Sequence, residues 1–234
     1  MSEQVLVEAK DLVQKFFFKT ILNGVSLQAY AGECLGIFGL RGSGKTSLLH
    51  ILAGVDRFSS GTVKVLGDDI KKSQLFKQRT GLVTQEPSLF QDLNVIENLD
   101  YIAALKNAGH ADIERVIALM ELHDSLRHPV TALDAGIYQR LSLACALLNS
   151  PQVLVVDELI KDIDLFSRHL IIKQLKPFLQ SGGTCICGFS NIEMLIHTDR
   201  TGWLDNGRLE FYKPSDLREK WTTMLNSFQE PGDA

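Results

Sequence analysis

A chain of 234 residues, 45% of them hydrophobic, is long enough to bury a full core as one large domain or two small ones. Its 24 Lys and Arg against 28 Asp and Glu leave a formal net charge of -4, so no cationic field favours nucleic acid or anionic lipid. The longest apolar stretches fall far short of the roughly 20 residues that cross a bilayer, and the opening MSEQVLVEAKD lacks a basic stretch followed by an apolar one; neither direct membrane insertion nor a signal peptide is expected.

Glycines and turn residues divide the first half into short β-type runs at residues 5–9, 25–29, 34–38, 62–66 and 81–84. Helical periodicity begins at Lys45, with Leu48, Leu49, Ile51 and Leu52 on one face. Residues 86–150 change character: 95–107, 112–122 and 135–148 read as helices, which predicts a helical insert. The alternation resumes with Val153-Leu154-Val155-Val156, an unbroken apolar run suited to a buried parallel strand. A helix near 167–180, a strand at 184–189, a short helix after Asn191 and a hairpin at Asp205-Asn206-Gly207 follow. Past about residue 215 the chain is expected to carry one helix and then fray. Cys34, Cys145, Cys185 and Cys187 all sit in apolar segments without the pair spacing of a metal site, so they are expected to be buried, reduced thiols of a reducing compartment.

Two stretches carry chemistry. Gly39-Leu40-Arg41-Gly42-Ser43-Gly44-Lys45-Thr46 fits G-x-x-x-x-G-K-[ST], in which glycines let successive backbone N–H groups face phosphates and the helix start adds positive potential. Lys45 is expected to reach the terminal phosphates and Thr46 to bind Mg²⁺. In the second stretch, the apolar strand ends in Asp157-Glu158. Asp157 would hold Mg²⁺ through water and Glu158 would orient the attacking water, because phosphoryl transfer needs in-line attack and charge neutralisation more than covalent chemistry.

With these motifs in this order, residues 5–212 resemble the nucleotide-binding subunit of ATP-binding-cassette (ABC) transporters. The resemblance implies an α/β fold: a P-loop NTPase core with a mixed sheet, an antiparallel β subdomain and a helical insert. It implies one domain over 1–234, with the helical subdomain at 86–150 and a C-terminal helix and tail at 215–234. It places ATP on Gly39, Leu40, Arg41, Gly42, Ser43, Gly44, Lys45, Thr46 and Ser47, with Phe16 stacked on adenine and Phe18 as the rival ring. Gln85 matches the family's glutamine that contacts metal and attacking water, and Asp164 falls at its loop aspartate. Leu133 to Arg140, LDAGIYQR, occupies the place of the signature L-S-G-G-Q-x-Q-R, which in the family caps the γ-phosphate held by a second subunit. An integral membrane permease and a second ABC ATPase subunit are the implied partners, and the inner face of the cell membrane the implied location. The segment 86–99 is similar to exporter subunits, with Leu89 and Phe90 expected near the rim of a groove for the permease.

The departures matter as much as the matches. Asp134 replaces the signature serine, Ala135 its first glycine and Ile137 its glutamine, while Gly136 is retained. A carboxylate about 4 Å from a phosphate oxygen repels it by about 4 kcal/mol at an effective dielectric near 20, against about 1 kcal/mol for a lost hydroxyl hydrogen bond. Asp is also among the best helix N-caps and would occupy the N–H groups that a phosphate needs. Ser190 stands where the family's switch histidine contacts the γ-phosphate, with His197 seven residues on. Leu159-Ile160 replaces a usual Pro-Thr, and Cys145 a common arginine. The expectation is good Mg-ATP binding, slow turnover by the chain alone, and pairing with a better-preserved ATPase in preference to a homodimer. A catalytically impaired, nucleotide-gated regulatory subunit is the alternative.

Overall fold

The computed structural model describes residues 4–229. The chain begins with two long strands, β1 (Val5–Phe16) and β2 (Lys19–Tyr30), then β3 (Cys34–Phe38) and α1 (Lys45–Leu52). A short hairpin follows, β4 (Ser60–Val65) and β5 (Asp68–Asp69), and then β6 (Thr80–Val83). Between β6 and residue 150 the regular elements are helical: α2 (Val95–Lys106), α3 (His110–Leu119), two single 3-10 turns and α4 (Ala135–Leu147). The rest is β7 (Val153–Asp157), α5 (Leu165–Gln180), β8 (Thr184–Phe189), a 3-10 helix (Ile192–His197), β9 (Arg200–Asp205), β10 (Arg208–Tyr212) and α6 (Pro214–Gln229). The expected frayed end beyond residue 229 lies outside the described residues.

Two sheets result. β2-β1-β4-β5 form an antiparallel sheet, and β10-β9-β3-β8-β7-β6 a mixed one in which only β10 runs antiparallel to its neighbour. The expected fold class, a mixed-sheet P-loop core with an antiparallel sheet and a run of helices, is the one observed. Period-2 alternation divides the core in two. Leu35, Ile37, Val153, Val155 and Ile186 face α1 and the antiparallel sheet, while Cys34, Phe38, Leu154, Val156 and Cys187 face the helical segment, α5 and α6. The four cysteines are buried and free, as expected.

Several bounds differ from the sequence reading, for physical reasons. β1 and β2 extend well past 5–9 and 25–29, because they pair with each other through to Phe16↔Lys19; cross-strand hydrogen bonding carries polar residues that alternation alone does not mark. The second helix of the insert runs over His110–Leu119 rather than 112–122, since Asp112 reaches back to the Gly109 N–H as a cap, and Glu121, at φ 50°, turns the chain.

Candidate active site

Parallel strands deliver their next residues to one edge of the sheet, outside their carboxyl ends, where open α/β sheets bind ligands. β3 runs into Gly39, β7 into Glu158, β8 into Ser190, and β6 reaches Gln85 two residues on. The registers Phe38↔Phe189, Asp157↔Gly188 and Val83↔Val156 bring these exits level with one another. Residues separated by more than a hundred positions thus share one rim.

The glycine loop has its shape for identifiable reasons. At Gly39 a Cβ would lie 2.6 Å from the Leu204 carbonyl oxygen. Gly42 and Gly44 sit at φ 83° and 102°, the left-handed region that glycine enters without strain. Lys45 Nζ is folded back over the loop, donating to the carbonyls of Gly39 (2.7 Å) and Leu40 (3.1 Å). Burial lowers its pKa, opposed by the nearby Glu158 and Asp157 carboxylates. Two carbonyls therefore hold the ammonium in the loop where phosphate oxygens would replace them.

Thr46 Oγ1 donates to Asp157 Oδ2 at 2.6 Å. Asp157 is wholly buried, and its Oδ1 has no hydrogen-bond partner in the structure. Gly188 allows this placement: a Cβ there would stand 3.1 Å from that same oxygen and 2.6 Å from Leu49. Desolvation raises the Asp157 pKa, with the Thr46 hydrogen bond pulling the other way. An orphaned buried carboxylate oxygen beside a threonine hydroxyl is what a hard, oxygen-seeking cation such as Mg²⁺ requires, so the donor set fits the metal. Glu158 follows in a left-handed conformation, φ 55°, its N–H donating to the Gly188 carbonyl at 2.9 Å. That backbone turn takes Glu158 out of the strand and onto the rim.

The remaining expected site residues are placed as follows. Gln85 is exposed and Ser190 half-buried, each just beyond its strand. Phe16 ends β1 and, with Phe17 and Phe18 in the turn, projects into solvent at 68%, 85% and 106% relative exposure. None of the three rings is a core residue, and β2 carries this tip to the glycine loop, because Gly44 packs against Ile21, two residues from Lys19. Leu89 is buried in the core and not at a rim, whereas Phe90 is exposed and packs edge-on against Tyr101 at 4.6 Å. His197 ends the 3-10 helix after Ser190, and burial followed by nearby Arg168 holds its pKa down.

At α4 the structure shows the N-cap reading directly: Asp134 Oδ1 accepts from the Ile137 N–H at 2.8 Å. Asp164 caps α5 in the same way, through the Ser167 N–H at 2.9 Å. Gly136 is squeezed between these caps, for a Cβ there would lie 2.1 Å from Asp164 Oδ2 and 2.4 Å from Ser167 Oγ. Sequence reasoning missed Tyr138. Its hydroxyl accepts from the N–H groups of Ser88 (2.9 Å) and Leu89 (3.1 Å), tying the segment after Gln85 to the first turn of α4. A tyrosine on the polar side of a helix facing a proline-containing loop was the only hint. Arg140, also from the LDAGIYQR stretch, donates to the carbonyls of Met120 and Glu121 and anchors α4 to the end of α3.

Comparison with known proteins agrees with this geometry. The family described as ABC transporter matches residues 22–161. The chain is 33% identical over 185 residues to the Nod factor export ATP-binding protein I of Burkholderia lata, covering 77% of this chain and 61% of that protein. It is 32% identical over 219 residues to the protein of the same name from Ralstonia nicotianae, covering 91% and 68%. The chain thus spans about three fifths of the length of the first curated relatives it matches. Among solved structures, an ATP-binding subunit of an ABC transporter superposes with TM-score 0.84 at 20% identity, covering 93% of each chain. A dimeric ATP-binding cassette with ADP and Pi superposes with TM-score 0.82 at 23% identity, over 89% of this chain and 98% of that one.

Proposed function

The chain belongs to the ABC transporter family of ATP-binding proteins, and from that premise we propose that it is the cytoplasmic ATP-binding subunit of an exporter, peripheral on the inner face of the membrane, powering a separate permease. The observation that carries the reading is the joining of Thr46 to Asp157, whose second oxygen is left free and buried, at the mouth of the glycine loop. Gly39 to Ser47 bind the phosphates through backbone N–H groups, and Lys45 moves from its two carbonyls onto the terminal phosphates. Phe16, or Phe18, stacks on adenine. Thr46, Asp157 and Gln85 would hold Mg²⁺, which when bound supplies charge neutralisation to the phosphates. Glu158 orients the attacking water, and Ser190 offers a hydroxyl where a histidine would offer a charge. The export named for the relatives supports the direction of transport.

Asp134 sets the expected rate. With its carboxylate spent on the α4 cap, the N-terminus of that helix presents negative charge where the partner's γ-phosphate is to be held. Two copies of this chain would each carry that defect, so turnover alone is slow and a second, better-preserved ATPase subunit is the favoured partner. The same observation favours a second reading, a regulatory subunit that binds ATP and signals through assembly. Steady-state ATPase assay of the purified chain against Glu158→Gln tests the first reading: low, Glu158-dependent turnover is expected, and fast turnover without a partner would defeat it. ATP binding with no turnover beside an active partner would select the regulatory reading.

A further inference from the structure

A cleft of about 1000 Å³ opens between part of α5 and the central sheet and is distinct from the glycine loop, although Glu158 and Ser190 line one end of it. Its size is at the upper end of small-molecule sites. On the α5 wall, Ile172, Leu175 and Leu179 recur at helical spacing and are each only partly covered. The opposite wall is Cys34, Cys187 and Phe189, with the two sulfurs 3.9 Å apart. Hydrogen bonding among the neighbouring thiols and then burial hold both thiol pKa values well above the usual range, so these side chains are uncharged.

The cleft is long as well as apolar. Glu158 follows the carboxyl end of β7, and Gly32 precedes the amino end of β3, so the lining runs past a full five-residue strand, roughly 16 Å. One lip is cationic. Lys173 and Lys176 lie on neighbouring turns of α5 beside the apolar stripe, both are exposed, and neither is paired with a carboxylate among the described residues. Among the other charged groups of the lining, Arg168 is paired with Glu193 at 3.8 Å and Asp199 accepts from the Cys34 N–H at 2.8 Å, while Glu158, Lys161 and Asp162 lie together in the turn after β7, at one end of the cleft. An extended apolar trough with unpaired ammonium groups along one lip is complementary to a single chain with one anionic end.

We propose that this cleft is a binding site for a long-chain carboxylate, with the alkyl chain between α5 and the β3–β8 strands and the carboxylate at Lys173 and Lys176. Because Glu158 shares the lining, an occupied cleft constrains the same turn that orients the attacking water. The assignment does not rest on the ATP reading, and its primary test, a titration with fatty acid, uses no nucleotide. Isothermal titration of the full chain with dodecanoate, below the concentration at which it self-associates, is expected to show saturable one-site binding. Dodecyl maltoside, of the same chain length and neutral head, is expected to bind about fivefold or more weaker, and dodecyltrimethylammonium weaker still. Lys173→Glu with Lys176→Glu changes only exposed positions and is expected to weaken dodecanoate by about fivefold or more, leaving MgATP binding unchanged. Ile172→Trp, checked for folding by its melting transition, fills the trough and is expected to abolish the heat signal. Absence of saturable binding, equal affinity for all three head groups, or binding indifferent to the lysine pair would each overturn the proposal. A failed ATPase assay would leave it standing.

Discussion

Asp134→Ser isolates the effect of one carboxylate on the γ-phosphate of a neighbouring subunit. Within the chain the exchange is mild: Asp134 accepts one hydrogen bond, from the Ile137 N–H at 2.8 Å, at an exposed helix start, and serine caps a helix nearly as well. The expected change in stability is a few tenths of a kcal/mol. Across the subunit interface it is large. A carboxylate about 4 Å from a phosphate oxygen repels it by about 4 kcal/mol at an effective dielectric near 20, and counterion screening leaves about half or more of that. At 1.36 kcal/mol per decade this is roughly 30- to 1000-fold for each nucleotide site, and a pair of identical chains holds two, so ATP-driven association should tighten by at least that factor. The assay is sedimentation of the chain with MgATP in a Glu158→Gln background, which holds the nucleotide unhydrolysed, beside turnover measured with Glu158 intact. An unchanged melting temperature, with the dimer constant within about twofold of the parent, would refute the reasoning, because it would show that no phosphate meets Asp134.

Three other outcomes follow from the same geometry. Asp157→Asn removes a carboxylate that desolvation disfavours in its charged form, so the nucleotide-free protein is expected to melt at a higher temperature while MgATP hydrolysis is lost; a lower melting temperature would contradict the origin given for the raised pKa. Gly136→Ala drives a methyl group to 2.1 Å from Asp164 Oδ2 and 2.4 Å from Ser167 Oγ, and is expected to cost about 1–3 kcal/mol in urea unfolding. Lys106, half-buried and donating to the Ala146 carbonyl at the end of α4, has its pKa lowered to about 8 by desolvation. Its folded value lies below its unfolded one, so the unfolded chain binds more protons between about pH 8 and 10.5, and stability rises with pH across that window by on the order of 3 kcal/mol. Unfolding free energies of the parent and Lys106→Met, compared at pH 8 and pH 10, are expected to show about 2 kcal/mol of that increment in the parent and none of it in the variant.

Much of the site was legible because its chemistry is local in the chain. The glycine loop needs Gly39, Gly42 and Gly44 at set spacing for backbone reasons alone, and Asp157-Glu158 announces itself by following four buried apolar residues. The strand limits at Cys34–Phe38 and Thr184–Phe189 were readable too, since a strand buried on both faces must be apolar throughout. The long β1–β2 hairpin was not readable, because its outer half breaks the apolar–polar alternation with three consecutive phenylalanines and depends on cross-strand pairing. Leu89 was misplaced at a rim for a related reason: burial of a single leucine in a loop depends on what packs over it, here the hydrophobic core shared by α2 and α4.

Sequence alone showed that a glycine loop precedes a helix, that two acids follow a buried strand, and where the chain departs from the ABC pattern, because all three depend on residue type and spacing within a few positions. Tertiary structure decided the rest. It brought Thr46 to Asp157 across 111 positions, left one oxygen of that buried carboxylate unpartnered, tied Tyr138 to the backbone at Ser88 and Leu89, and opened a trough beneath α5. These are meetings between elements distant along the chain. Strand register and helix packing determine them, and neither is written in any short stretch of residues.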